Sequence, residues 1–229
     1  MRPGAATVFV DAALIPESLS WWLAALAAAV LLPCLRYAEW RAMLQVPLRQ
    51  HLLFASLLFL VVLWLISVRM FDGLWLHFMG VTTVTLLVGW RFTLLLGALA
   101  SCVYALLISQ PLAAVPAAWL ITVLVPASLS RLLVYWLRRR PQSNLFIYLL
   151  GAGFGGGALS SLGLAASGLL LLELVGQQAQ VTAALENWPM ITLVMFPEGF
   201  INGMVLSVIV VLNPEAVKTF DSDKYMGEG

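Results

Sequence analysis

Met195-Phe-Pro-Glu-Gly-Phe-Ile-Asn-Gly-Met204 opens the last long apolar segment of the chain. It sets one carboxylate, Glu198, and one amide, Asn202, inside a run that otherwise reads as a membrane-spanning helix. At helical spacing Met195, Glu198 and Asn202 are i, i+3 and i+7, so the three share a face. An acid in hydrocarbon is costly and is expected to face the bundle interior with a partner. What the rest of the chain offers Glu198 therefore decides how the bundle is built.

The surroundings are those of an integral membrane protein. Of 229 residues, 62% are hydrophobic and only 10% charged, far too apolar for a water-soluble domain. A formal net charge of +1 implies no pull toward nucleic acid. Cys34 and Cys102 fall in apolar segments without a neighbouring ligand and read as small buried hydrophobes. A spanning helix needs about 20 mainly apolar residues. On that basis the chain reads as an all-α bundle of about seven transmembrane helices. They are expected at Leu19–Tyr37, His51–Val68, Leu74–Gly89, Phe92–Ile108, Val115–Leu137, Leu145–Leu172 and Ile191–Leu212.

Charge orients the bundle. Arg36, Arg41, Arg49, Arg91, Arg131, Arg138, Arg139, Arg140, Lys218 and Lys224 fall on one side of this arrangement. Only Arg2 and Arg69 fall on the other. The positive-inside rule then puts the N-terminus outside and the C-terminus in the cytoplasm. Residues 1–18 become an extracytoplasmic segment, 19–212 the membrane domain and 213–229 a cytoplasmic tail. The N-terminal apolar run is broken by Asp11 and lacks a convincing cleavage site, so it is expected to be retained.

Small residues at four-residue spacing mark close helix contacts in lipid. Ala24/Ala28 and Ala25/Ala29 lie on the first helix, and Gly151/Gly155 and Gly153/Gly157 on the sixth. They read either as packing within the bundle or, for the alanines, as a face that docks another membrane subunit. The run Gly151-Ala-Gly-Phe-Gly-Gly156 also fits G-x-G-x-x-G, but no strand precedes it, so a dinucleotide site is rejected.

Chemistry is sparse. His51 starts the second span at its inner end and His77 the third at its outer end, on opposite sides of about 30 Å of hydrocarbon. No zinc-protease motif or nucleophile with a nearby base is present, so the chain is read as no enzyme. The outer end is richer: Met70, Asp72, His77 and Met79 surround the turn between spans two and three. Glu198 and Met195 start the last span at the same end. Imidazole suits cobalt, nickel, copper or zinc, and thioether suits softer ions. Each residue also has a plainer reading: His77 as a hydrogen-bonder to a backbone carbonyl or to Glu198, Met70 and Met79 as packing, Asp72-Gly73 as a turn, Glu198 as a cap or brace for helix ends near Pro197.

Three stretches carry a resemblance. Leu76 to Ala100 (LHFMGVTTVTLLVGWRFTLLLGALA), Pro197 to Met204 (PEGFINGM) and Leu14 to Leu19 (LIPESL) are similar to segments of the CbiM/NikM-type substrate-binding membrane subunit of energy-coupling-factor cobalt and nickel transporters. The resemblance places His77 at the family's metal-binding histidine. It implies a transmembrane coupling subunit and cytoplasmic ATPase subunits as partners. It departs at the amino end, where Leu14 stands at the position of a family histidine.

The function expected is substrate capture in the inner membrane of a bacterium. The transition-metal ion, cobalt, nickel or copper/zinc, is cargo and not an intrinsic cofactor. Candidate ligands are His77, Glu198, Asp72, Met70 and Met79. The candidate partner face is Ala24, Ala25, Ala28 and Ala29. The alternative is a non-transporting assembly protein on the same scaffold, which the loss of the Leu14-position histidine favours.

Overall fold

The computed structural model describes residues 15–71, 74–141 and 144–227, and the side chains of these except residues 67–77, 190 and 191. α1 (Glu17–Tyr37), α2 (Trp40–Gln45) and α3 (Pro47–Leu65) come first. An antiparallel pair, β1 (Ser67–Phe71) and β2 (Leu74–His77), follows, with Ser67 opposite His77. α4 (Val81–Val88) and α5 (Trp90–Leu107) are next. α6 (Val115–Trp119) runs through a π-helical turn, Leu120–Leu124, into α7 (Val125–Arg138). α8 (Leu145–Ile147) runs through a second, Tyr148–Gly155, into α9 (Gly156–Leu174). α10 (Gln178–Glu186), α11 (Trp188–Leu212) and α12 (Ser222–Met226) complete the chain.

Among the described residues, six helical segments are long and apolar enough to cross a membrane. They match six of the expected spans, with ends shifted by a few residues. The remaining one, Leu74–Gly89, is corrected. Its first part is β2, and its helical part is the eight-residue α4. Eight residues rise only about 12 Å, against a hydrocarbon core of about 30 Å. The reason is two glycines in left-handed or extended positive-φ conformations: Gly80 (φ 63°) before α4 and Gly89 (φ 84°) after it. A right-handed helix cannot run through either.

Apolar residues cover the outside of the bundle. On α1 only Ala27 and Cys34 are buried, while Trp21 and Trp22 are more than 70% exposed. Such an all-round apolar helix suits lipid, not water. The π turn at Leu120–Leu124 has an identifiable cause. Pro126 lacks an N–H and its ring crowds the carbonyl of Thr122, and a widened turn accommodates both. Against α11, the glycines act by absence: a Cβ on Gly157 would stand 2.9 Å from the Gly199 Cα, and one on Gly153 would stand 3.0 Å from the Gly203 Cα. α9 and the turn before it therefore meet α11 backbone to backbone.

The ends of several helices gather on one basic face. Arg91 at the start of α5 donates to the carbonyl of Tyr37 at the end of α1, at 2.9 Å. Arg138 at the end of α7 donates to the carbonyl of Thr219, at 2.8 Å. Lys218 pairs with Glu39 at 2.7 Å. The same tail caps α4, because the amides of Lys218 and Thr219 donate to the Leu87 and Leu86 carbonyls at 3.1 Å each. Those are C-terminal carbonyls that the helix itself leaves free.

Candidate functional site

All eight residues of α4 are buried, so neither end can rely on water. A short buried helix starts with free N–H groups and a positive dipole end. Gly80, the residue at its N-cap, has no side chain to offer. The missing acceptors come from α11. The Met79 N–H donates to Glu198 Oε2 at 2.9 Å, and the Gly80 N–H to Glu198 Oε1 at 3.0 Å. One turn further along α11, Asn202 Oδ1 accepts from the Thr83 N–H at 2.9 Å and from the Thr83 hydroxyl at 2.8 Å.

The clamp is closed on itself. Asn202 Nδ2 donates to Glu198 Oε1 at 2.7 Å and to the Glu198 carbonyl at 2.8 Å. Glu198 is 2% exposed and Asn202 is fully buried. Every Asn202 side-chain donor and acceptor is engaged, and both carboxyl oxygens are taken. Buried polar networks stabilise when all members are satisfied in this way. The partner sought for Glu198 is thus the backbone of residues 79 and 80 at the mouth of α4.

The opposite side of the same peptide is also held. The Trp64 indole of α3 donates to the Met79 carbonyl at 3.0 Å. The Met79 side chain is buried in the apolar core. Gly80 leaves no room for a Cβ, which would lie 2.6 Å from the Phe59 ring and 2.7 Å from Leu63. α3 and α11 therefore fix residues 79–80 from two sides, and His77 lies two residues upstream at the end of β2.

Below the clamp is a second polar cluster. The Thr82 hydroxyl lies 2.9 Å from both Ser130 Oγ and Ser160 Oγ, which are 3.0 Å apart. Ser130 and Ser160 both donate to the Pro126 carbonyl, at 2.9 and 3.1 Å. This knot ties α4, α7 and α9 together. The sequence reading missed it. Its only signal was the run Val81-Thr-Thr-Val-Thr85, polar hydroxyls where lipid would favour none.

Asp72 and the side chains of Met70 and His77 lie outside the described residues, so no contact of theirs with Glu198 is described. Among the described residues, no group of three or more His, Cys, Asp or Glu side chains gathers. His51 sits exposed at the start of α3, next to the basic face. On α1, Ala25, Ala28 and Ala29 are exposed and Ala24 is half-buried.

A family model described as the cobalt uptake substrate-specific transmembrane region, CbiM, matches residues 10–216. Comparison with curated proteins and with solved structures finds no match.

Proposed function

Since the chain belongs to the CbiM family of cobalt uptake substrate-specific transmembrane regions and is a multi-pass membrane protein, we propose that it is the substrate-capture subunit of an energy-coupling-factor-type transporter for a divalent transition-metal ion. The observation that carries the reading is the double anchoring of residues 79–80. Glu198 holds their amides and Trp64 holds the Met79 carbonyl. A site is selective only when its ligands sit on backbone that cannot relax. His77, close to that anchor, is the residue that would present a nitrogen donor to the ion.

In this reading Glu198 positions the turn and is not a ligand, since it is 2% exposed and its oxygens are turned to the amides of Met79, Gly80 and Asn202. Met70, on β1, and Asp72, which lies outside the described residues, remain candidate donors, while buried Met79 packs. The basic face would lie in the cytoplasm, with residues 1–18 outside and the tail from 213 inside, the stretch from β2 through α4 making a seventh crossing between α3 and α5. A coupling subunit and ATPase subunits would meet the chain from that side or along the exposed alanines of α1. The chain would perform no chemistry of its own.

The alternative, an assembly protein on the same scaffold, rests on Leu14 standing where the family has a histidine. One measurement separates the two. Purified protein is dialysed against micromolar Co(II) or Ni(II) and its metal content measured, for wild type and His77→Ala. Stoichiometric metal in wild type, lost in the variant, is the expected result. Wild type without metal rejects capture. Equal binding by the variant rejects His77 as the ligand.

A further inference from the structure

The basic face encloses a cavity of about 390 Å³ between the ends of α1, α4 and α7 and the start of α5. Four cations line it, Arg91, Arg131, Arg138 and Lys218, against one carboxylate, Glu39. Lys218 and Glu39 neutralise each other at 2.7 Å. Among the described residues, Arg91 and Arg138 donate to neutral carbonyls, those of Tyr37 and Thr219. Arg131 lies over the Trp90 ring, 4.8 Å from its centroid. Three guanidinium charges thus converge on one concave space whose one lining carboxylate, Glu39, is already paired with Lys218. The first turn of α5 opens into the same space, and Gly89 at its N-cap supplies no side chain. Its free amides add to the positive field.

Guanidinium groups prefer phosphate and carboxylate oxygens. The depth of the cavity identifies the source. Trp90 and Tyr135 line it. Arg139 and Arg140 stack on Tyr135 and Trp136 at 4.1 and 3.8 Å just beside it. Interleaved Trp, Tyr and Arg at helix ends mark the headgroup level of a bilayer. Val88, Phe92 and Val134 give the cavity an apolar wall. A headgroup with a phosphodiester above and glycerol below fits that gradient, and basic recesses between spanning helices are suited to it.

We propose that this cavity binds the phosphate of an anionic phospholipid from the leaflet it faces. The bound headgroup would neutralise the guanidinium cluster and tie together the ends of α1, α5 and α7 with the tail that caps α4. The site does not depend on metal capture, and its test is read without metal.

Native mass spectrometry of the full chain in a neutral detergent provides the test. The protein is titrated with phosphatidylglycerol, phosphatidylcholine or inorganic phosphate. Phosphatidylglycerol is expected to be retained preferentially, and neither of the others to compete with it at equal concentration. Each cation removed should weaken retention about fivefold. Arg131→Gln and the pair Arg131→Gln/Arg138→Gln should show this loss, while Arg139→Gln/Arg140→Gln, outside the cavity but equal in charge to the pair, should not. Among the described residues Arg131 makes no hydrogen bond to the tail, so its single variant stays informative if the pair fails to fold. Equal retention of the two lipids, or equal loss in both double variants, overturns the site. Displacement by inorganic phosphate at the same concentration overturns the lipid as its source.

Discussion

Replacing Glu198 separates a bracing role from a ligand role. In Glu198→Gln one carboxyl oxygen becomes an NH2 group. The Met79 and Gly80 amides, at 2.9 and 3.0 Å, can then no longer both find an acceptor. A buried donor left without a partner costs about 1–3 kcal/mol. Glu198→Ala removes both acceptors and costs about 2–6 kcal/mol on the same scale, before any cavity is counted. Total stabilities of about 5–15 kcal/mol leave the glutamine variant folded and bring the alanine variant near the threshold. At about 2–4 °C per kcal/mol for a chain of this size, Glu198→Gln should melt about 2–12 °C lower. The assay is thermal unfolding in mild detergent after the metal has been stripped. If Glu198 were only a metal ligand, the metal-free melting temperature would not move, and the variant would lose only the stabilisation that added ion confers. A glutamine variant that melts like wild type without metal refutes the bracing argument.

Other perturbations follow from the same geometry. Gly80→Ala forces a side chain into a left-handed backbone and into the Phe59 ring, and should cost about 2–5 kcal/mol by unfolding in detergent. Gly157→Ala pushes against the α11 backbone at 2.9 Å and should cost about 1–3 kcal/mol. In the same helix Gly168→Ala has open space and should be neutral or stabilising by up to about 1 kcal/mol. The hydrogen bond and charge of Lys218 hold the Glu39 carboxyl below its ordinary value. Its folded value being depressed, this pair contributes fully above the ordinary carboxylate range, about pH 4.3, and the contribution is lost as pH falls through the lowered folded value. Glu39 and Lys218 are 56% and 39% exposed, so the effect should be at most about 1 kcal/mol and should shrink in salt, as a double-mutant cycle with Glu39→Gln and Lys218→Met would measure.

The long spans were legible because each is continuous in sequence. Leu145 to Leu172 announces itself by length and composition, and the observed helical segment runs Leu145–Leu174. The third span misled for the same reason. Leu74 to Gly89 has the composition of a helix in lipid, and hydropathy does not register that Gly80 turns left-handed. The acid at position 198 reads as needing a partner, and one reading of it is a brace for helix ends near Pro197, on its own segment. The end it braces is instead the start of α4, more than a hundred residues upstream, and that has no signature in either segment. The hydroxyl knot of Thr82, Ser130 and Ser160 escaped notice because serine and threonine can satisfy themselves on their own helix, as Ser101 does on the Gly97 carbonyl.

By itself the sequence determined that the chain lives in a membrane and, to within a few residues, where six of its long rods lie. It also required that Glu198 and Asn202 turn inward together, since local spacing and the cost of charge in hydrocarbon are properties of one segment at a time. Only the tertiary structure decided what they meet. α4 is too short and too buried to satisfy its own ends, so α11 supplies acceptors at one end and the tail after it supplies donors at the other. Free backbone groups in a helix are the same in every sequence. Which distant residue answers them is settled by packing, where leaving them unanswered costs most.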